Sequence, residues 1–192
     1  MAREHQMDPA EVRRLLGELV HRLETAGITA RIHVIGGSAM ALLFPEDPET
    51  RMTQDIDASI QPSDEVRRVV QEMAIDLDLS PTWLNANGKP FIPPRAEVAA
   101  SSLGVELTHA DAHELIAMKL AGSREQDLHD LGIIARHMGI TDPQQLVDIA
   151  FEAYGNESVV LNEPPEDYLI LAKQALARAR RRASARPMST ER

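Results

Sequence analysis

The order of segments along the chain predicts an α+β fold, with a small mixed sheet first and a helical part last. Two observations carry this. Stretches with the period-two alternation of strands lie only in the first 110 residues, among short helices, and a run of helices follows them. Hydrophobic residues make up 43% of the 192 residues, enough for one buried core with a helical appendage. The expected organisation is a core over residues 1–110, a helical part over 111–182 covering one side of a cleft, and a basic flexible tail over 183–192.

The elements follow in order. Asp8, Pro9 and Glu11 form a helix start, with Asp8 as cap, Pro9 in the first position and Glu11 closing a capping box. Val12, Leu15, Leu16, Leu19, Val20 and Leu23 then recur at helical spacing, and Gly27 ends the helix. A strand is expected over 30–35, stopping at Gly36-Gly37, then a short helix over 38–44 capped by Ser38 and a loop over 45–50. Residues 55–60 alternate polar and apolar and read as a half-buried strand. Ser63 is expected to cap a helix running to Met73. Residues 80–95, with Pro81, Pro90, Pro93 and Pro94, read as loop with a turn of helix near Trp83, whose ring is expected in packing rather than base stacking. Strands over 96–100 and 104–108 could pair as a hairpin. Helices are then expected over 111–121, 123–137, from Pro143 behind the cap Asp142, and from Pro165 to Arg182.

Composition excludes several classes. There is no cysteine, hence no disulfide framework, thiolate metal site or cysteine nucleophile. No run of eighteen apolar residues is present and the first residues are polar, so no membrane span or secretion signal is expected and a cytoplasmic protein is. The net charge of −10 argues against a generally basic nucleic-acid surface. The end of the chain differs: from Arg178 on, six arginines face Glu191 alone, a basic tail on an acidic body.

Three constellations could carry chemistry. Asp55-Ile56-Asp57 on a strand puts two carboxylates on one face, roughly 6.5–7 Å apart along the backbone. Such a pair needs solvent, a basic partner or a cation, and Mg²⁺ takes one or two carboxylates together with substrate phosphates. The spacing recurs at Asp76-Leu77-Asp78, so the triplet alone does not specify a metal site. Its context does more. Val34-Ile35-Gly36-Gly37-Ser38 is a strand breaking into a helix at two glycines, where backbone amides can approach a phosphate; no Walker or Rossmann fingerprint is present. Downstream, Lys119 interrupts an apolar stretch, and Arg124, Asp127 and Asp130 share a helical face, as an ion-pair ladder would. His109 and His113 have no evident third ligand and read as surface or capping residues, and His129 lies next to the Asp127/Asp130 face.

Taken together, Gly36-Gly37-Ser38-Ala39, Arg51-x-Thr53-x-Asp55-Ile56-Asp57, Ala117-Met118-Lys119-Leu120 and Arg124-x-x-Asp127-x-x-Asp130 resemble the bacterial nucleotidyltransferases of the DNA polymerase β superfamily. Within them the chain is most similar to a group related to the AbiE-type (AbiEii) abortive-infection toxins and the MenT toxins, of which Trp83-Leu84-Asn85 also looks like a feature. The resemblance runs over residues 32–137. It implies that Gly36, Gly37 and Ser38 hold nucleotide phosphates, that Asp55 and Asp57 bind Mg²⁺ or Mn²⁺, that Lys119 touches the triphosphate, and that Asp127 is a further essential acid. Arg51, Thr53 and Arg124 are expected to assist nucleotide binding, Arg51 by meeting a phosphate or neutralising Asp55. The third metal carboxylate is expected at Glu106, with Glu97 as runner-up. The activity implied is transfer of a nucleoside monophosphate from an NTP to an acceptor hydroxyl, with RNA or the 3′ end of tRNA as acceptor and a cognate antitoxin as partner. A small-molecule transferase and a catalytically idle interaction or regulatory module are the alternatives. The Ser38–Asp55 interval is longer than the commonest superfamily pattern, and the loop over 45–50 would absorb the excess.

Overall fold

The computed structural model describes residues 6–94, 104–155 and 158–185. These form two compact units: one from the chain up to Ile92 with the segment ending at Asp111, the other from Ala112 onward. The fold is α+β.

The first unit holds α1 (Pro9–Thr25), β1 (Ala30–Val34), α2 (Gly36–Leu43), β2 (Ile56–Gln61), α3 (Ser63–Asp76), β3 (Leu84–Asn85), a 3-10 turn at Lys89–Phe91 and β4 (Val105–His109). The sheet order is β3-β2-β1-β4. β2 runs antiparallel to β1, while β4 runs parallel to β1 and β3 parallel to β2. α1 starts where its cap chemistry says it should, with the Asp8 carboxylate accepting the Glu11 N–H at 2.8 Å and Pro9 in the first turn. Its stripe of Val12, Leu15, Leu16, Leu19 and Leu23 is buried. That stripe meets the alternating Ala30, Ile32 and Val34 of β1 and the buried Val66, Val69, Val70 and Met73 of α3 in one core.

Several boundaries differ from the sequence expectations. α2 begins at Gly36, so the two glycines are its first turn, and its N-cap Ile35 supplies no side-chain cap. Ser38 lies inside that helix and donates to a distant carbonyl instead of capping. β2 begins at Ile56, leaving Asp55 in the bend before it. Pro62, not Ser63, is the N-cap of α3, without a side-chain hydrogen bond, and α3 continues to Asp76. Within the expected loop at 80–95, Leu84–Asn85 adds a short strand beside β2. Trp83 is 1% exposed and its indole N–H donates to the Val70 carbonyl at 3.1 Å, so the ring is core packing. The strand expected over 96–100, with its hairpin, lies outside the described residues; β4 takes β1 as its parallel neighbour.

The second unit is helical: α4 (Ala112–Gly122), α5 (Glu125–Met138), α6 (Pro143–Tyr154) and α7 (Pro165–Ala185). Asp142 caps α6 through the Gln144 N–H at 3.0 Å, with Pro143 in the first turn. α5 begins two residues later than expected, behind Arg124, because Ser123 turns the chain at φ +54°. α7 runs past Arg182 to Ala185, so the expected tail begins as helix; residues 186–192 lie outside the described part. Three arginines of α7 are tied to neighbours: Arg178 pairs with Glu125 at 2.6 Å, Arg180 donates to the Thr141 carbonyl at 3.0 Å, and Arg182 meets His129 Nδ1 at 2.7 Å. No helix among the described residues is long and apolar enough to cross a membrane.

Two helical glycines give opposite expectations. A Cβ on Gly132 of α5 would stand 3.1 Å from the Ala179 Cβ and 3.3 Å from the Ala175 carbonyl of α7, whereas one on Gly17 of α1 would meet nothing within 4 Å. Gly132→Val should therefore cost about 1–3 kcal/mol through overpacking of the α5–α7 seam. Gly17→Ala should add roughly 0.5–1 kcal/mol through backbone entropy. Urea unfolding of both variants checks the pair of signs.

Candidate active site

In the first unit, the end of β1 brings a helix start against a carboxylate. The Ile35 N–H donates to the Asp57 carbonyl at 2.9 Å, extending the β1–β2 pairing one residue beyond Val34 and Ala58. The chain then turns into α2 through Gly36 at φ +65°. A Cβ there would lie 3.3 Å from Asp57 Oδ2, and one on Gly37 would lie 3.6 Å from Thr53 Oγ1. The glycines thus serve two physical needs, a left-handed backbone and the close approach of an acid to the positive end of a helix.

Asp55 is held mainly through its backbone. Its carbonyl accepts from Ser38 Oγ at 3.0 Å and from Thr53 Oγ1 at 2.7 Å. Its carboxylate Oδ2 accepts from Asn85 Nδ2 at 2.8 Å. Both Asp55 and Asp57 are half-buried. Thr53 is itself fixed by a two-bond bridge to buried Met7, at 2.7 and 3.0 Å. Arg51, two residues before it, is exposed. Gly36, Gly37, Ser38, Thr53, Asp55 and Asp57 therefore sit together.

Glu106 does not join them. It pairs with Arg31 at 3.1 Å, and Arg31 stands opposite Gln61 in the β1–β2 register. Gln61 is four residues along β2 from Asp57, roughly 13 Å at strand rise. The expectation of Glu106 as third metal carboxylate is corrected by this register, which alternation along a single strand cannot reveal. Glu97 lies outside the described residues. Among the described residues, no group of three or more His, Asp or Glu could hold a metal ion.

In the second unit, Lys119 is 5% exposed and lies between two buried acids, 3.1 Å from Asp127 Oδ1 and 2.7 Å from Asp130 Oδ2. It is neither a snorkelling surface lysine nor a solvent-facing cation. Asp127 also accepts the Arg124 backbone N–H at 3.3 Å and Nε–H at 2.7 Å, which starts α5. Burial by itself would push the Asp127 carboxyl up. The Arg124 hydrogen bond, with the charge and hydrogen bond of Lys119, outweighs it and holds the group below the ordinary carboxylate value. A Cβ on Gly122 would stand 2.6 Å from Asp127 Oδ2, so the helix end must be bare for the acid to approach. Arg124 keeps its side chain 68% exposed. Sequence reasoning named these residues but missed that Lys119 is the shared counter-ion of the two acids.

A small mixed sheet whose first strand enters a glycine-opened helix beside an Asp-x-Asp pair is the architecture of a nucleotidyltransferase core. Residues 13–168 match the family described as a nucleotidyltransferase of unknown function (DUF6036), and the chain belongs to that family. No curated protein and no solved structure matches the chain.

Proposed function

We propose that this chain transfers a nucleoside monophosphate from an NTP to an acceptor hydroxyl with the help of a divalent cation. The observation that carries the reading is the Asp57 carboxylate seated against the Gly36 start of α2, with Asp55 two residues away. The donors there are carboxylate oxygens, and they fit a hard cation such as Mg²⁺ or Mn²⁺, which completes its shell with water and phosphate oxygens. Such an ion, when bound, would supply Lewis-acid neutralisation of the transferring phosphoryl group.

The chain's own part is positioning. The first-turn amides of α2 at Gly36, Gly37 and Ser38 would receive phosphate oxygens at the positive end of the helix. The Ser38 hydroxyl proton is used on the Asp55 carbonyl, so the backbone of Ser38 is the phosphate donor in this reading. The acceptor oxygen would attack the α-phosphorus, the bond to the β-phosphate would break, pyrophosphate would leave, and the acceptor proton would pass to solvent. Within the helical unit, Arg124 is an exposed cation whose guanidinium Asp127 braces. The likeness to AbiEii-type and MenT toxins supports RNA, with the 3′ end of tRNA as one acceptor, and an antitoxin as partner.

The test is incubation with Mg²⁺, each α-labelled NTP in turn and total tRNA, beside an Asp55→Ala/Asp57→Ala double variant. Label moving to RNA with the wild type alone is the expected result. Label moving only to an added small-molecule hydroxyl would replace RNA as the acceptor. No transfer and no NTP binding by the wild type would overturn the catalytic reading in favour of an interaction module, which the distance of Glu106 from the acidic pair favours.

A further inference from the structure

We propose that Asn85 is a positioning residue that orients the Asp55 carboxylate for a divalent cation. This rests on the reading of Asp55 and Asp57 as a cation-binding pair. The orientation of the Asn85 amide follows from its neighbours. Its Oδ1 lies 2.9 Å from the backbone nitrogen of Asn87, and a backbone N–H can only donate. The Nδ2 group therefore faces Asp55 Oδ2, at 2.8 Å, as a donor. One oxygen of Asp55 is thus fixed, which sets the direction of the other.

The support behind Asn85 is rigid. β3 pairs with β2 so that Asn85 stands opposite Asp57, and the Ile56 N–H donates to the Trp83 carbonyl at 2.7 Å. Trp83 is buried and bonded to Val70. Beyond Asn85 the chain folds back across the second acid. A Cβ on Gly88 would lie 2.6 Å from Ile35 Cδ1 and 3.7 Å from Asp57 Cβ. One short segment therefore bonds Asp55 and packs on Asp57. The chemistry of the residue matters as well: a lysine or arginine in its place would cancel the carboxylate charge, whereas a neutral amide aims it and leaves the charge for a cation. Partners of this kind typically change metal affinity by about 10–100-fold when removed.

The experiment is Mn²⁺ binding, read by electron paramagnetic resonance with a non-hydrolysable NTP analogue present, on the wild type and on Asn85→Ala, Asn87→Ala and Asp57→Ala. The expected result is at least about tenfold weaker Mn²⁺ binding for Asn85→Ala with an unchanged melting temperature. Asn87→Ala, whose part is played by its backbone N–H, should bind as the wild type does. In the wild type itself, Mn²⁺ should broaden the Asn85 side-chain amide resonance, a readout that needs no variant to fold. Equal affinity of Asn85→Ala and wild type, or a sharp Asn85 amide at saturating Mn²⁺, would overturn the role of Asn85 and leave the cation site standing. A wild type that binds no Mn²⁺ would overturn the cation site and the role together.

Discussion

Lys119→Met should destabilise the helical unit by about 3–5 kcal/mol, because it leaves Asp127 and Asp130 buried without their shared counter-ion. Urea unfolding measures it. Arg124→Ala should cost less than about 1 kcal/mol, since that guanidinium is largely in water. Replacing Lys119 together with both acids by apolar residues of similar volume should recover most of the loss, because no buried charge then remains. A mild effect of Lys119→Met alone would show that water reaches the acids. Acid acts on the same cluster. In the folded state Asp127 is held below the ordinary carboxylate value. Its stabilisation is therefore present above the ordinary carboxylate range and is lost as the pH falls through that range toward the lower folded value.

Asp57→Asn should abolish nucleotidyl transfer, by about a thousandfold or roughly 4 kcal/mol of transition-state stabilisation, without lowering the melting temperature. The substitution keeps the shape beside Gly36 and removes one of two neighbouring negative charges, so the folded state loses repulsion and keeps its packing. Labelled-NTP transfer and thermal unfolding on one preparation give both numbers. A fall in melting temperature with activity retained would mark Asp57 as a structural acid.

The helix starts at Asp8-Pro9 and Asp142-Pro143 were legible because a cap is satisfied within three residues of itself. The burial of α1 was legible for the same local reason, its period. Ser38 was misjudged as a cap because its true acceptor, the Asp55 carbonyl, is seventeen residues away. Asp55 alternates with Ile56 as a strand residue does, yet the hydroxyls of Ser38 and Thr53 hold its carbonyl in the bend before β2. Glu106 was misplaced because alternation names a face of a strand and register decides which neighbour is met. The Lys119 cluster was half legible. Asp127 and Asp130 share a face by spacing, but helical arithmetic stops where a helix ends, and the turn at Ser123 is what folds them back onto Lys119.

The parallel pairing of β1 with β4 joins Arg31 to Glu106 across 75 positions, whereas the helical unit is built mainly from alternate helices, α4 on α6 and α5 on α7, which lie closer in the chain. Closing so long a loop costs entropy before any strand contact repays it, so the helices should assemble fast and the sheet late. On a ribosome adding roughly 5–20 residues per second, β1 and β2 emerge as an antiparallel pair while the other edge of β1 waits several seconds for its partner. During that interval the acidic pair already exists on an incomplete sheet, and the nascent chain is then at its most vulnerable to pairing with a second copy of itself.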